Sequence, residues 1–501
     1  MNFRRLALSL ALTAVIVPPA LAADFKIGLQ EDPDVLDPDQ GRTFVGRIVF
    51  ASLCDKLVDI TPNLEIVPQL ATKWSWSEDG KVLTMDLRKG ATFHDGTPID
   101  AKAVIANIER SKTLPESRRK SELSSIEKAE ATGEYQVKFT LKNPDATLLA
   151  QFADRAGMMM SPTAFKAEGL KFGSNPVCSG PFKFVERVQQ DRIVLQKYAG
   201  YWNADKIHFD KVTFQPIPDT TVRLANLRAG DLDMLERLAP TDLKSVKKDA
   251  KLQYAEAVGL GYQGITVNLE NGPAGNNTFG NSALVRQAFS LAIDRKALNQ
   301  VVFDGAFAPG NQPFPPNSPW YDKGIPVPER DVAKAKALLK QAGVTRVQVD
   351  MQVPNNPQQQ QVAQVLQAMV GEAGFDLKLK AMEFATLLSQ QSAGNYQTSL
   401  VAWSGRVDPD GNIHQFVTCK GGINDSKYCN AEVDKLLNGA RTTNDVAERK
   451  KQYDAAAAIL DKDLPIIYIY HQTWIWALDK KVSGFVAYPD GMIRLEGVTK
   501  S

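Results

Sequence analysis

The chain has 501 residues, 44% of them hydrophobic, with 59 lysines and arginines against 57 aspartates and glutamates. This length is too great for a single core and predicts two or three domains. The mixed, nearly neutral charge and the lack of a basic run exclude the usual pattern of a nucleic-acid-binding protein.

The N-terminus has the features of a cleaved export signal. Arg4 and Arg5 precede the apolar run Leu6–Val17, and Ala20–Ala22 supplies small residues for a signal peptidase. We predict a signal peptide at residues 1–22 and export to the periplasm. The apolar run is too short for a permanent span and no later segment approaches that length, so we expect no membrane insertion.

Four cysteines follow the signal: Cys54, Cys178, Cys419 and Cys429. An even number in an oxidising compartment favours disulfides. Cys419 and Cys429 enclose a short glycine-rich loop, so we predict a bridge there, worth roughly 3 kcal/mol by the chain-entropy estimate. Cys54 and Cys178 are then paired by elimination, and buried free thiols are the alternative for both pairs.

The first predicted element is a strand at Phe25–Leu29. An acidic loop broken by prolines follows it and contains Glu31. A helical pattern then covers Val45–Leu57. This order predicts an α/β beginning, with an acidic loop at the end of the first strand.

Six ordered motifs follow along the chain. The first are LATKW at residues 70–74, DGK at 79–81 and DLRKGATFHDGTP at 86–98. Further ones are CSGPFKF at 178–184, TVRLANLRAGDLDM at 221–234 and RQAFSLAIDRK at 286–296. In this order they resemble the motifs of the extracytoplasmic solute-binding proteins of family 5, which serve peptide and nickel ABC importers, and the resemblance covers nearly the whole mature chain.

The resemblance implies an α/β fold of the two-lobed periplasmic-binding-protein type, with an extra subdomain inserted in the first lobe. Carried onto this chain, the division is given by these ranges: lobe I, 24–56, 178–275 and 475–501; inserted subdomain, 57–177; lobe II, 276–474. Segments that cross between lobes form a hinge, and hinged lobes can close over a solute.

The resemblance also implies a function. It predicts a monomeric periplasmic receptor that delivers a peptide or peptide-like solute to an ABC permease and its ATPase subunits, without chemistry. The alternatives are an exported hydrolase that acts on peptides, and the same scaffold carrying an opine, a nickel chelate or haem. The four histidines are scattered without metal-ligand spacing, so we predict no metal site and no cofactor.

Residues 282–379 alternate between helical and strand patterns. Apolar residues at helical spacing predict one helix over Ser282–Leu298, with Ser282 as its N-cap. Val347–Val353 then alternates as a strand, Val362–Ala373 is helical, and Phe375–Leu379 alternates again. Strand, helix and strand predict a βαβ unit, which places a sheet beneath the segment that follows.

That segment, QTSLVAWSGRVDPDGN at residues 397–412, predicts a buried strand that ends in a polar loop. Ligands settle at such strand ends in open α/β sheets. We therefore expect Trp403, Arg406 and Asp408 to form one wall of a ligand site. Residues 259–264 match GxGxxG but lead into a strand, which indicates a segment crossing between lobes, with Tyr262 as a ligand contact.

The site departs from the dipeptide-binding members that the chain resembles. In those proteins an aspartate after Trp-x-Gly holds the peptide ammonium, and an arginine on a preceding strand holds the carboxylate. Here the two positions are Arg406 and Val353. The reversed charge favours a solute with an acidic group bound by Arg406.

Two alternatives stay open for the charged residues of the site. Asp408 or Asp410 could neutralise Arg406, which would then only stiffen the turn. Glu31 is a candidate partner for an ammonium group on the solute.

Overall fold

The structure is a computed structural model that describes residues 24–501, so the predicted signal peptide at residues 1–22 lies outside the described residues. The strands are β1 (Asp24–Leu29), β2 (Val58–Ile60), β3 (Ile66–Pro68), β4 (Ala71–Trp76), β5 (Val82–Leu87), β6 (Ile126–Gly133), β7 (Gln136–Leu141), β8 (Phe182–Val188), β9 (Arg192–Lys197), β10 (Lys211–Pro216), β11 (Met234–Leu235), β12 (Leu252–Val258), β13 (Tyr262–Val267), β14 (Ala308–Pro309), β15 (Val347–Pro354), β16 (Phe375–Met382), β17 (Thr398–Trp403), β18 (Ile466–His471), β19 (Thr473–Asp479), β20 (Val482–Ser483) and β21 (Thr499–Lys500).

The α-helices, in chain order, are α1 (Phe44–Leu53), α2 (Ala101–Thr113), α3 (Leu148–Phe152), α4 (Pro162–Glu168), α5 (Thr220–Ala229), α6 (Leu243–Lys248), α7 (Thr278–Asn281), α8 (Ala283–Leu291), α9 (Arg295–Phe303), α10 (Val332–Gln341), α11 (Pro357–Gly371), α12 (Phe384–Ser392), α13 (His414–Val417), α14 (Ala431–Arg441) and α15 (Val446–Asp463). Within residues 24–501 no helix is long and apolar enough to cross a membrane.

Two large sheets form the two lobes, which confirms the predicted fold class. The first lobe contains a seven-stranded sheet in the order β12-β19-β11-β1-β10-β9-β8, and the second a six-stranded sheet in the order β14-β18-β13-β17-β15-β16. Each sheet has its own apolar core, and α1 packs into the first.

The chain crosses between the sheets at two adjacent points. β12 belongs to the first sheet and β13 to the second, so one crossing lies at residues 259–261; the return lies at Gln472, between β18 and β19. The amide of Gly259 donates to the carbonyl of Gln472 over 3.0 Å, which joins the two crossings. The predicted boundary at residue 275 placed β13 with the first lobe, whereas the strand belongs to the second sheet; its nearly complete burial gives no sequence signal of which sheet it joins.

A glycine is required at the first crossing. A Cβ atom on Gly261 would stand 1.7 Å from the carbonyl oxygen of Trp403, far inside contact distance. Residues 259–264 therefore bring backbone against backbone, as predicted, and the GxGxxG pattern has a packing role.

The segment between α1 and β8 has a four-stranded sheet of its own, in the order β4-β5-β7-β6. Its apolar core is built from residues between Leu57 and Met159. Cys54 and Cys178, at the two ends of this segment, form a disulfide, and a second one joins Cys419 to Cys429. These are the two pairs that the sequence predicted.

The βαβ unit is confirmed. β15 and β16 are parallel, α11 connects them, and β17 pairs in parallel with β15, so the loop after Trp403 stands at the end of this sheet. The single helix predicted over Ser282–Leu298 is two helices, α8 and α9. Asp294 caps α9 by accepting from the amide of Ala297, and this cap starts a new helix inside an unbroken apolar pattern.

Candidate functional site

A cavity lies between the lobes, beside the two crossings. It has about 940 Å³ of space not filled by protein atoms, including the part that opens to solvent. Both lobes line it: Gln30, Glu31, Arg42, Phe44, Arg119, Arg155, Arg237 and Trp474 come from the first, and Gln263, Asn356, Gln359, Trp403, Ser404 and Phe416 from the second. The strand ends of β1 and β17 face each other here, so the arrangement suits a small molecule held by both lobes.

Trp403 lines the cavity, at the end of β17. Its indole nitrogen donates to the side-chain oxygen of Asn412 over 2.9 Å, and the ring of Phe416 packs edge-on against it at 4.8 Å. Both contacts fix the orientation of the indole. The structure thus presents a rigid apolar surface to the cavity at the position that the sequence suggested.

Tyr262 pairs with Trp403 across β13 and β17 but does not line the cavity. Its ring packs on Tyr468, with centroids 4.7 Å apart, and its hydroxyl is buried. Burial raises the pKa of this hydroxyl well above its ordinary value. In this conformation Tyr262 supports the wall of the cavity from behind.

Arg406 also lies outside the cavity lining, and its carboxylate partner is neither of the two that the sequence suggested. Its Nε stands 2.7 Å from Oδ2 of Asp154, and its guanidinium lies over the Trp403 ring at 4.1 Å. Asp154 also accepts from Arg47, over 3.2 Å and 2.5 Å. The alternative of a pairing with Asp408 or Asp410 does not hold, because the nearest carboxylate comes from the other lobe, about 250 residues away in sequence.

Asp408 and Asp410 are held by arginines of the second lobe. Asp408 pairs with Arg449 at 2.6 Å and Asp410 pairs with Arg441 at 2.7 Å. Asp408 also caps the short 3₁₀ turn at Pro409–Asn412 by accepting from the amide of Asp410. Asp408 therefore stabilises the loop and does not line the cavity.

Glu31 does line the cavity, at the end of β1. Burial raises the pKa of its carboxyl to about 7, although Arg237, with a nitrogen 3.6 Å from Glu31 Oε1, acts in the opposite direction. Glu236 lies closer to Arg237, with its Oε2 3.0 Å from Nε of the arginine, and its negative charge raises the pKa of Glu31 further. Glu31 is thus a weakly paired carboxyl group at the cavity wall.

Four arginines that sequence reasoning missed also line the cavity: Arg42, Arg119, Arg155 and Arg237. Arg155 donates to the carbonyl of Gly41 over 2.7 Å, and Arg119 bonds to Glu122. Arg119 lies in an irregular segment and Arg155 begins a three-residue 3₁₀ turn, and in neither place does a periodic pattern single out an arginine. The Asp-Arg pair at residues 154–155, so close to an apolar run, was the one available signal.

Comparisons with known proteins agree over the whole length of the chain. Residues 65–424 match the profile of a family described as bacterial extracellular solute-binding proteins, family 5 Middle. The dipeptide-binding protein of Escherichia coli K12 is 28% identical over 99% of this chain and 98% of its own length. The glutathione-binding protein GsiB of Pectobacterium atrosepticum is 29% identical over 98% of each chain.

A solved structure gives the same result for the fold. The PBP AgaA from A. tumefaciens R10, in complex with agropinic acid, matches with a TM-score of 0.86 at 26% identity, over 95% of this chain and 99% of that one. The three proteins bear the names of three different solutes. Similarity therefore extends to the scaffold and leaves the solute to be argued from the cavity.

Proposed function

We propose a receptor function for this chain, which belongs to family 5 of the bacterial extracellular solute-binding proteins. The protein captures a small solute between its lobes and presents the closed form to an ABC permease, whose ATPase subunits drive import. It works in the periplasm after export, as a monomer, and releases the solute chemically unchanged. The observation that carries the proposal is one cavity, lined by both lobes, beside two hydrogen-bonded crossings.

The crossings explain how binding becomes a signal. Within residues 24–501 the backbone passes between the two large sheets at residues 259–261 and at Gln472, so the lobes can rotate about this pair without breaking either core. A solute that touches both lobes binds the closed form more tightly than the open form, and so shifts the equilibrium toward closure. Closure then aligns the outer faces of the lobes for the permease.

The solute class that fits the cavity is a peptide-like molecule with an acidic group. Arginines predominate among the charged lining residues, and Trp403 and Phe416 offer an apolar surface to its body. Glu31 is the group suited to an ammonium on the same solute. An opine, in which an amino acid is conjugated to another acid, has the same chemistry, and the similarity to the agropinic acid complex favours it as a second candidate.

Native mass spectrometry of the protein purified without refolding tests the proposal. We expect a bound molecule of a few hundred daltons, whose identity then directs calorimetry. Incubation with that molecule followed by mass analysis should return it unaltered. Cleavage products, or a protein that binds no peptide, glutathione or opine from a broad panel, would contradict a receptor function.

A matched pair of variants tests whether the cavity is the solute-binding site. Trp403→Ala removes the indole at the cavity wall, so affinity for the identified solute should fall at least about tenfold. Trp76→Ala, on the inserted sheet at 36% exposure, removes the same side chain away from the cavity and should leave affinity unchanged. Trp403→Phe, which keeps an aromatic ring, serves if the alanine variant does not fold.

A further inference from the structure

Among the guanidinium nitrogens near the cavity that have no hydrogen-bond partner in the described residues, Nε of Arg237 stands 3.0 Å from Oε2 of Glu236, whereas three others lie in one cluster of arginines. These three are Nε of Arg119, Nε of Arg155 and one terminal nitrogen, NH2, of Arg406. The three residues are 1%, 2% and 6% exposed, so water does not readily supply the missing partners. A buried donor without an acceptor is costly, and for a charged donor the cost is larger.

The cluster around these nitrogens carries more positive than negative charge. Arg47, Arg119, Arg155 and Arg406 are in contact with two carboxylates, Asp154 and Glu122. The excess is therefore two positive charges in a buried place. Consistent with this, burial and the neighbouring arginines hold the pKa of Arg155 well below its usual value.

The excess charge is assembled from both lobes. Arg406 stands on the loop after β17, whereas Arg47 lies in α1 and Arg119 and Arg155 lie in the segment that follows it. Closing the cleft therefore brings Arg406 toward three other guanidinium groups. By contrast, the contact between Arg42 and Asp425, at 2.7 Å, is a matched pair across the same cleft.

We infer that the solute carries a carboxylate that binds Arg119 and Arg155, and that neutralisation of this cluster is what permits the lobes to close. The inference rests on the proposed receptor function and deepens it. Arg119 and Arg155 line the cavity, so a carboxylate there accepts bonds from their unpartnered Nε groups that no described residue accepts. A neutral solute of the same shape would leave the repulsion between the arginines in place.

The first test needs no known solute. Small-angle scattering and spin-label distances between the lobes are measured on protein freed of small molecules by unfolding and refolding. Wild type should be mostly open, and Arg155→Gln, which removes one repelling charge, should raise the ratio of closed to open protein roughly tenfold. Arg155→Lys keeps the charge and should stay open, as should Arg192→Gln, which removes an exposed arginine of β9.

The outcomes are distinct. An unchanged or more open Arg155→Gln protein, with wild-type melting behaviour, would overturn the closure inference while leaving the receptor function intact. A co-purified solute without an acidic group would overturn the subsite in the same way. If the solute is acidic, its amide analogue should bind wild type at least about tenfold more weakly, and Arg155→Gln should abolish that difference. A protein that alters its solute would instead defeat the proposed function itself.

Discussion

At the scale of single residues, Asp154 determines how the charged side of the cavity is held together. It bonds to Arg47 and stands 2.7 Å from Arg406, and these contacts hold the pKa of its carboxyl well below its usual value. Asp154→Asn would leave the buried guanidinium groups of Arg47 and Arg406 without a carboxylate and would remove the longer contact with Arg155 at 3.9 Å, so the free energy of unfolding should fall by about 3–5 kcal/mol at pH 7.

The stability lost in Asp154→Asn depends on pH because the pKa of Asp154 is lowered in the folded protein. The ionised carboxylate of Asp154 therefore stabilises the fold above pH 3.8, the ordinary aspartate pKa, and this stabilisation is lost as the pH falls below that value. Urea unfolding of Asp154→Asn and wild type should therefore differ at pH 7 and converge in acid. The exposed pair of Asp191 and Arg192 supplies the control, Asp191→Asn, which should cost under about 1 kcal/mol. A loss for Asp154→Asn as small as that of the control would contradict the assignment.

The pKa of Glu31 is shifted in the opposite direction to that of Asp154, so its effect on stability has the opposite pH dependence. Its folded pKa, about 7, lies above the ordinary value of 4.5, so the folded protein binds this proton more tightly than the unfolded chain does. The free energy of unfolding therefore falls as the pH rises from about 4.5 to about 7. Glu31→Gln should be more stable than solute-free wild type by roughly 2–3 kcal/mol at pH 8 and equal to it at pH 4. Equal melting temperatures at both pH values would argue against a buried, weakly paired carboxyl.

At the scale of elements, a substitution can test why the crossing before β13 needs a glycine. A Cβ on Gly261 would collide with the backbone of Trp403, so Gly261→Ala should displace β13 from β17 and cost about 3 kcal/mol or more. Gly371, at the end of α11, has no atom within 4 Å of such a Cβ, and Gly371→Ala should be neutral or slightly stabilising. Thermal unfolding of the two variants compares them directly, and similar melting temperatures would refute the steric account.

Some elements of the fold could be predicted from the sequence, and others could not. β15, α11 and β16 follow from hydrophobic period alone, and Trp403 from its place at a strand end. The partner of Arg406 could not follow in the same way, because an ion pair between residues 154 and 406 depends on how two lobes meet. The break between α8 and α9 was likewise hidden, since the apolar pattern continues through it and only the Asp294 cap marks it.

At the scale of the whole molecule, contacts between the lobes should also set affinity. Arg42 reaches across the cleft to Asp425 at 2.7 Å, to Ser392 at 2.5 Å and to the carbonyl of Leu388 at 3.1 Å. Arg42 lines the cavity but Asp425 does not, so a substitution of Asp425 weakens an interlobe contact without removing a side chain from the cavity wall. In a receptor that closes on its solute, loss of such a contact lowers the closed population and the observed affinity together.

Asp425→Asn should therefore weaken solute binding about tenfold although every cavity-lining side chain is retained, since about 1.4 kcal/mol is a reasonable cost for one partly buried interlobe pair. The weakening should come from faster dissociation, because the open form that first meets the solute lacks this contact. Stopped-flow measurements separate the two rates. Lys296→Gln, which breaks an exposed pair with Glu329 within the second lobe, is the matched control and should change neither. If Asp425→Asn slowed association with no effect on dissociation, the pair would act on the open form, and closure would have to depend on other contacts.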